Sequence, residues 1–331
     1  MKILAGDIGG TNTRLIYGKY DNSQRRTVAE KNYLSKDYAD FDQVLKYFLS
    51  EHNIPTSIDA ACFAIAGPIK SGVAEVTNLP WVIKEKELKN KFRISNLKLI
   101  NDFVAVVYGL DLLQDEDIQV LQSSKSSTNN TNKTVVLGAG TGFGVAYRVC
   151  VNNSYHVYST EAGHTGFSPE NEIQCHLLNW LLKDKSHVSL EDILSGKGII
   201  TIYKFLQQHL QLAESNDVID AMRKSDPSQV ITDFGLSKRD NLSQKTLEFF
   251  VDIYGSAAAN AALSFYPIDE LFIAGGIAPK IKDKLTDEHF INAFISKGLM
   301  SSSMKNITVK LVLQDKVGLN GSLSQAMLLL K

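Results

Sequence analysis

An amide and a carboxylate stand side by side at Asn101 and Asp102, directly after the short apolar segment 97–100. Such a pair suits a sugar, because the amide can bind one hydroxyl while the carboxylate removes the proton of another. The apolar segment indicates a strand, and open α/β sheets bind ligands at the carboxyl ends of their strands. The pair therefore predicts a sugar ligand at Asn101 and a general base at Asp102. The alternative is a plain helix N-cap, a position that Asn and Asp both favour.

Two further candidates, Glu161 and His164, lie among glycines and small residues in the segment "STEAGHTGF". Both side chains can bind adjacent hydroxyls of a sugar ring. A Glu-x-x-His motif also occurs in di-iron bundles, but those need two copies on helices, and the flanking glycines indicate a loop. An ordinary surface pair remains the alternative. Glu191, in "HVSLEDILSG", is a weaker candidate because exposed helical glutamates are usually only solvated.

Three glycine-rich turns each follow an apolar segment, at residues 6–12 (GDIGGTN), 138–144 (GAGTGFG) and 274–279 (AGGIAP). Glycine has no Cβ, so the backbone N–H groups of such turns can approach phosphate oxygens closely. The first two turns predict phosphate loops. The third predicts a backbone surface on which an adenine ring lies flat. Together they indicate a nucleotide cleft between two lobes.

Asp7 lies within the first of these turns, where its negative charge would repel phosphate. A carboxylate there suits Mg²⁺, held through water, with Thr11 and Asn12 as neutral donors. The alternative is a hairpin turn whose glycines only supply positive φ. Other nucleotide motifs do not match: the chain has no GxxxxGK[ST] segment, 138–144 lacks the GxGxxG spacing, and the DFG triplet at 233–235 has no accompanying kinase motif and is interpreted as a loop.

The composition is that of a globular protein with a small-molecule partner. The 331 residues include 35 Lys and Arg against 36 Asp and Glu, so the net charge of -1 predicts no general attraction to nucleic acid or to an anionic membrane. The length favours two lobes. Cys62, Cys150 and Cys175 are widely spaced, which argues against a disulfide framework and predicts a reducing, cytoplasmic location. No signal peptide or membrane span is predicted.

Alternating strand-like and helix-like patterns predict a mixed α/β fold. Strands are expected at 2–5, 13–17, 60–66 and 97–100, and helices at 41–49, through much of 171–224, and at 246–266. A second strand, glycine turn and strand at 135–149 repeat the opening pattern. The polar stretch 122–134 predicts a solvent loop, and "NGSLSQAMLLL" predicts a short amphipathic helix.

Six motifs occur in the order seen in bacterial glucokinases: GDIGGTNTRL, INDFVAV, GAGTGFGVA, EAGH, HVSLEDILSG and FIAGGIAP. The chain thus resembles, over nearly its whole length, this family of the hexokinase-like superfamily, which also contains actin and the heat-shock chaperones. The resemblance implies an α/β, two-lobed ribonuclease H-like (actin/hexokinase-type) fold with an interlobe cleft. It also implies a small domain of residues 1–110 plus 317–331, a large domain of 111–316, and a homodimer.

The activity that this resemblance implies is ATP-dependent phosphorylation of glucose to glucose 6-phosphate. A kinase of another hexose, or an actin-like or chaperone-like ATPase, is the alternative. The implied roles are base for Asp102; glucose binding for Asn101, Asp102, Glu161, His164 and Glu191; ATP binding for Gly6, Asp7, Ile8, Gly9, Gly10, Thr11, Asn12, Thr141, Gly142, Gly275 and Gly276; and Mg²⁺ binding through water for Asp7. No zinc is expected, because the cysteine cluster of related repressor-type sugar kinases is reduced here to Cys175.

Overall fold

A computed structural model describes residues 1–20, 25–54, 57–124 and 131–330 of the chain. The chain forms two compact units. Unit 1 comprises Met1–Gln114 and Gln314–Lys331, and unit 2 comprises Asp115–Leu313. The expected division into a small domain of residues 1–110 plus 317–331 and a large domain of residues 111–316 stays a prediction.

Strands and helices alternate along both units, as the mixed pattern predicted. The strands are β1 (Lys2–Ile8), β2 (Asn12–Tyr20), β3 (Arg25–Leu34), β4 (Ile58–Ile65), β5 (Ile69–Lys70), β6 (Val73–Glu75), β7 (Val82–Lys84), β8 (Ile94–Asn101), β9 (Ile118–Gln122), β10 (Lys133–Ala139), β11 (Phe143–Val151), β12 (Ser154–Thr160), β13 (Glu270–Ala274) and β14 (Thr308–Val312). The helices are α1 (Phe41–Glu51), α2 (Glu85–Lys91), α3 (Asp102–Gly109), α4 (Glu172–Leu181), α5 (Gly196–Leu210), α6 (Asn216–Met222), α7 (Pro227–Leu236), α8 (Asn241–Ser264), α9 (Lys282–Leu285), α10 (Glu288–Ile295), α11 (Ser301–Met304) and α12 (Val317–Leu328).

The two units repeat one strand order. The sheet of unit 1 has the order β3-β2-β1-β4-β8, and the sheet of unit 2 has the order β12-β11-β10-β13-β14 with β9 added at the edge. In each sheet the first three strands pair antiparallel, and the next two run parallel to the first. The repeated strand, glycine turn and strand in the sequence are therefore the first hairpins of two sheets with the same topology.

Both faces of the sheet in unit 1 are covered, which explains the apolar runs of its parallel strands. Alternate side chains of β1 point to opposite faces. Ile3 and Ala5 pack with Leu319 of α12, whereas Leu4 belongs to the cluster that contains Phe48 of α1. This alternation also places the odd-numbered Asp7 on the face that α12 covers.

Two glycines permit a close crossing of α3 and α12 inside unit 1. A Cβ on Gly109 would overlap the carbonyl oxygen of Val317, and a Cβ on Gly321 would overlap that of Ala105. Because of this crossing, residues 317–327 are buried or half-buried, and Leu328 is the exposed residue of the helix. The expectation of an amphipathic C-terminal helix was wrong, since α3 and the sheet together cover most of its circumference.

The small residues of α8 lie inside unit 2. Gly255, Ala258, Ala259 and Ala262 are all buried, and a Cβ on Gly255 would overlap the carbonyl oxygen of Phe290 in α10. These small residues therefore let α10 approach α8 closely. The hydrophobic core of unit 2 forms around α5, α7 and α8 and one face of its sheet.

Three smaller expectations have different outcomes. The DFG triplet at 233–235 lies within α7, so its interpretation as a loop was wrong. Part of the predicted solvent loop, residues 125–130, lies outside the described residues. All three cysteines are free thiols, and burial raises the pKa of Cys62 to about 12.

No helix among the described residues is long and apolar enough to cross a membrane.

Candidate active site

The first glycine turn joins β1 to β2 in unit 1. The Gly9 N–H donates to the carbonyl oxygen of Asn12 at 2.8 Å. Neither Gly9 nor Gly10 has a positive φ. Gly10 is instead required by close approach, because a Cβ there would lie 2.8 Å from the carbonyl oxygen of Thr77. The turn is a hairpin, but Gly9 and Gly10 do not supply the positive φ that the hairpin alternative expected of its glycines.

Ser35, which the sequence analysis did not identify, forms hydrogen bonds with the backbone of this turn. Its N–H donates to the carbonyl of Thr11 at 3.0 Å, and its Oγ donates to the carbonyl of Gly9 at 2.8 Å. Its Oγ also lies 3.0 Å from Oγ1 of Thr13, and the whole residue is buried. Pairing of β2 with β3 brings Ser35 here, so no local motif could have found it.

The residues before the turn belong to the sheet. Gly6 is buried, with a Cβ position 2.8 Å from the side chain of Leu15, and Ile8 has its side chain in the core. The carbonyl of Ile8 accepts a hydrogen bond from Ala66 N–H at 2.9 Å. Gly9 and Gly10 are half-buried and Thr11 is exposed, whereas Gly6 and Ile8 are buried. The ATP contacts predicted for Gly6 and Ile8 stay a prediction.

The Asp7 carboxylate is half-buried beside the start of α12, where a Cβ on Gly318 would lie 3.4 Å from Asp7 Oδ2. Burial raises the pKa of Asp7, and the positive charge of Arg14 partly opposes this rise. Arg14 is itself held by Asp315, whose Oδ2 lies 3.1 Å from Arg14 Nη1. A dication near Asp7 would offset the cost of burying its charge, so this carboxylate fits the predicted role in magnesium binding.

Asn101 and Asp102 lie where β8 ends and α3 begins. The Asn101 Oδ1 accepts from the N–H groups of Phe103 and Val104 at 3.0 and 3.3 Å, so Asn101 is indeed the N-cap of α3. The Asp102 Oδ1 accepts from Phe103 N–H at 2.9 Å. The Asn101 amide lies 3.5 Å from the carbonyl of Gly67. Capping does not exclude chemistry here, because it fixes the half-buried Asp102 at the carboxyl end of a strand.

In unit 2, Glu191 lies in a turn and is half-buried, contrary to the expectation of an exposed helical glutamate. Its Oε2 accepts from the Phe143 N–H at 2.9 Å, at the end of the second glycine turn. The same turn is closed by Gly140 N–H, which donates to the carbonyl of Gly142 at 2.8 Å. Thr141, at the tip, is exposed. The hydrogen bond between Glu191 and Phe143 thus connects a predicted sugar ligand to a predicted phosphate loop.

Glu161 is the N-cap of a short 3-10 helix, Ala162–His164, which ends at His164, and both side chains are well exposed. The His164 Nε2 lies 4.0 Å from the Glu161 Oε2. Gly163 between them has no room for a Cβ, which would overlap the carbonyl oxygen of Phe143. The flanking glycines had indicated a loop. The observed single turn fits that prediction, and close packing on β11 explains Gly163.

The third glycine turn packs against the second. Gly275 has φ +84°, and a Cβ on it would lie 2.5 Å from the carbonyl of Ala139. That carbonyl also accepts from Ile277 N–H at 3.1 Å. Gly276, in contrast, is exposed, and a Cβ there would meet no atom within 4 Å. The open backbone at Gly276 suits the predicted contact with a nucleoside.

The predicted residues thus fall into two groups. Unit 1 holds the first turn, Asn101 and Asp102, while unit 2 holds Glu161, His164, Glu191 and the other two turns. Within each unit, residues distant in sequence come together. The described residues contain no group of three or more His, Cys, Asp and Glu side chains able to hold a metal. The functional roles themselves stay predictions.

Comparison with known proteins identifies the family. A sequence model described as glucokinase matches residues 4–328. The chain belongs to the glucokinase family. A glucokinase from Nostoc punctiforme is 40% identical over 334 residues, which cover 97% of both chains. The resemblance seen in the six motifs is therefore confirmed.

Solved structures extend this likeness. A glucokinase crystal structure from an Antarctic psychrotroph is 31% identical, covers 98% of each chain and gives a TM-score of 0.78. A ROK family glucokinase from Streptomyces griseus, in complex with glucose and AMPPNP, is 15% identical, covers 99% of this chain and 100% of its own, and gives a TM-score of 0.67. The second match shows the fold alone.

Proposed function

We propose that this member of the glucokinase family transfers the γ-phosphoryl group of ATP to the 6-hydroxyl of glucose. The family match over residues 4–328 is the observation that carries the proposal. The fixed Asp102 and the three glycine turns give the chemistry a place in the chain. We also assign the fold to the ribonuclease H-like, actin/hexokinase type, which the repeated strand order of the two sheets supports.

In unit 1, Asp102 is the general base and Asn101 a hydroxyl ligand. Phosphoryl transfer needs little covalent help from the protein beyond an aligned acceptor and a base for its proton. Asp102 takes the proton of the glucose 6-hydroxyl as that oxygen attacks the γ-phosphorus. The bond from the γ-phosphorus to the β–γ bridging oxygen breaks, and ADP leaves with that oxygen. The N-cap bonds of Asn101 hold the start of α3 rigid, which keeps the carboxylate of Asp102 in one place.

In unit 2, Glu161, His164 and Glu191 bind the ring hydroxyls of glucose. Exposure of Glu161 and His164 leaves their polar atoms available to the sugar. Vicinal hydroxyls offer both donors and acceptors, so a carboxylate and an imidazole together can satisfy them. Close packing of Gly163 on the carbonyl of Phe143 holds the backbone between these two residues against β11.

ATP binds at the three glycine turns. One phosphate loop consists of Gly6, Ile8, Gly9, Gly10, Thr11 and Asn12. Thr141 and Gly142 form the other, and Gly275 and Gly276 contact the nucleoside. Asp7 is the protein carboxylate that would hold Mg²⁺ through water, and the bound ion would neutralise phosphate charge. Since Mg²⁺ usually takes most of its ligands from phosphates and water, one carboxylate is sufficient. No zinc is included. The proposal also includes a homodimer, which the family resemblance implies, and the cytoplasmic location that the cysteine pattern predicts.

Release of ADP, measured with Mg-ATP and a panel of hexoses, tests the proposed reaction. We expect glucose to support turnover and to be consumed one for one with ATP, while ATP alone is hydrolysed very slowly. Closure of the site on the correct sugar is what separates a kinase from an ATPase. Turnover at the same rate without sugar would indicate an ATPase, and a higher kcat/KM for another hexose would indicate a different sugar kinase.

The Asp7→Asn variant is expected to raise the KM for Mg-ATP by about 10- to 100-fold, as for other outer ligands of metals. Glucose affinity measured without nucleotide should stay unchanged by isothermal titration calorimetry. Equal loss of glucose and nucleotide binding would contradict the assignment of Asp7 to the nucleotide.

The same variant should be more stable than the wild type when free of ligand. Because burial raises the pKa of Asp7, the ionised carboxylate costs free energy of folding at neutral pH, and an amide avoids this cost. We expect a higher Tm for Asp7→Asn at pH 7. The gain should shrink as the pH falls through the Asp7 pKa, because the wild-type side chain then takes up a proton itself.

A further inference from the structure

The Glu191 carboxylate contacts the turn between β10 and β11, in addition to its proposed contact with the sugar. Its Oε2 accepts from the Phe143 N–H at 2.9 Å, and a Cβ on Gly142 would overlap that same oxygen. Gly142 is thus a glycine because the carboxylate occupies the space beside it. The turn between β10 and β11, with Thr141 at its tip, therefore rests on the side chain of Glu191.

The backbone of Glu191 is anchored in the opposite direction. Its N–H donates to the carbonyl of Gly163 at 2.9 Å, and Leu190 N–H donates to the carbonyl of Thr165 at 2.9 Å. An isolated antiparallel bridge between Gly166 and Ser189 continues this pairing. Glu191 therefore connects the short segment that carries Glu161 and His164 to the second glycine turn, in addition to the direct packing of Gly163 on Phe143.

We infer that Glu191 couples the binding of sugar to the binding of nucleotide, through the hydrogen bond between its Oε2 and the Phe143 N–H. Oε1 receives the sugar hydroxyl, while Oε2 supports the turn that receives phosphate. The inference rests on the proposed role of Glu191 as a hydroxyl ligand. It adds a positioning role for the same side chain toward the nucleotide.

The direction of the effect follows from the two ends of the carboxylate. A carboxylate has two oxygens that can accept hydrogen bonds independently. When a sugar hydroxyl fixes Oε1, the carboxylate loses rotational freedom, and Oε2 holds the Phe143 N–H in a single orientation. Nucleotide then binds a turn that is already ordered. Because its binding costs less conformational entropy, its affinity rises. By linkage, nucleotide must increase the affinity for sugar by the same factor.

Isothermal titration calorimetry with glucose and Mg-AMPPNP measures this factor. In the wild type, saturating Mg-AMPPNP should lower the Kd for glucose by a factor within the usual range of about 5 to 150. The Glu191→Asp variant keeps the charge, but it is one methylene too short to reach both partners. We expect weaker glucose binding and a coupling factor near one. The matched control, His164→Gln, removes a sugar contact without touching the Phe143 hydrogen bond, so it should weaken glucose binding and keep the wild-type factor.

The Gly142→Ala variant tests the same link without changing Glu191. Its new methyl group must displace Oε2, so the coupling factor should again fall while the glucose ligand remains present. A wild-type factor of one, or a wild-type factor retained in both Glu191→Asp and Gly142→Ala, would overturn the inference. If neither Glu191→Asp nor His164→Gln weakens glucose binding, the proposed sugar site itself is wrong, which is a separate outcome.

Discussion

The Asp102→Asn variant is expected to lose about 10²- to 10⁴-fold in kcat, the range for removal of a general base. Its glucose Kd should stay within a few-fold of the wild type, because an amide still binds a hydroxyl but cannot take its proton. The fold should be preserved, since the amide oxygen of the new side chain can still accept the hydrogen bond that the Phe103 N–H donates to Asp102. Steady-state kinetics and calorimetry measure the two quantities separately.

Asp37→Asn provides the matched control, because Asp37 is an exposed aspartate of the same unit, outside every predicted site. Its kcat and glucose Kd should equal those of the wild type. If Asp102→Asn turns over at a rate close to the wild type, Asp102 is not the base. If instead it loses glucose binding in proportion to kcat, Asp102 is a ligand of the sugar only.

The Gly321→Ala variant should be strongly destabilised, by about 3 kcal/mol or more, at the upper end of the cost of overpacking. The added methyl group would overlap the carbonyl oxygen of Ala105, and backbone atoms of α3 cannot move aside as a flexible side chain can. The better helix propensity of alanine recovers only about 1 kcal/mol. Thermal unfolding followed by circular dichroism should show a lower Tm.

A loss of activity should accompany this loss of stability, even well below the Tm. Ala105 lies one turn after Asp102 on α3, so displacing this helix also displaces the carboxylate. Ser324→Ala on the same helix α12 is the control, and we expect a near-wild-type Tm and kcat. A Gly321→Ala protein with the Tm of the wild type would contradict the observed crossing of α3 and α12.

Local patterns predicted the elements well. The strand at 2–5 and the helix at 41–49 are confirmed as β1 and α1, and the predicted α/β class is confirmed with them. These elements depend on alternation and helical spacing, which are visible in a short window. The C-terminal helix was wrongly predicted to be amphipathic. Its burial depends on Gly109 and Gly321, which are distant in sequence but lie at one helix crossing.

The candidate site was predictable as motifs but not as contacts. Asn101 and Asp102 follow an apolar strand, and this local signal identified both. Ser35 had no such signal, since only the pairing of β2 with β3 brings its hydroxyl to Gly9. The Glu191 side chain was expected to be solvated, yet its carboxylate contacts a turn almost 50 residues earlier in the chain. Side-chain partners across such separations depend on tertiary packing, which periodicity does not encode.

A crystal structure of the Asp102→Asn variant with glucose and AMPPNP tests most directly whether one glucose receives both the base and the ring ligands. We expect the 6-hydroxyl of glucose within hydrogen-bond distance of the side chain at position 102. The other hydroxyls should contact Glu161, His164 and Glu191. Glucose bound away from position 102, or bound without any of these three ligands, would contradict the proposed mechanism.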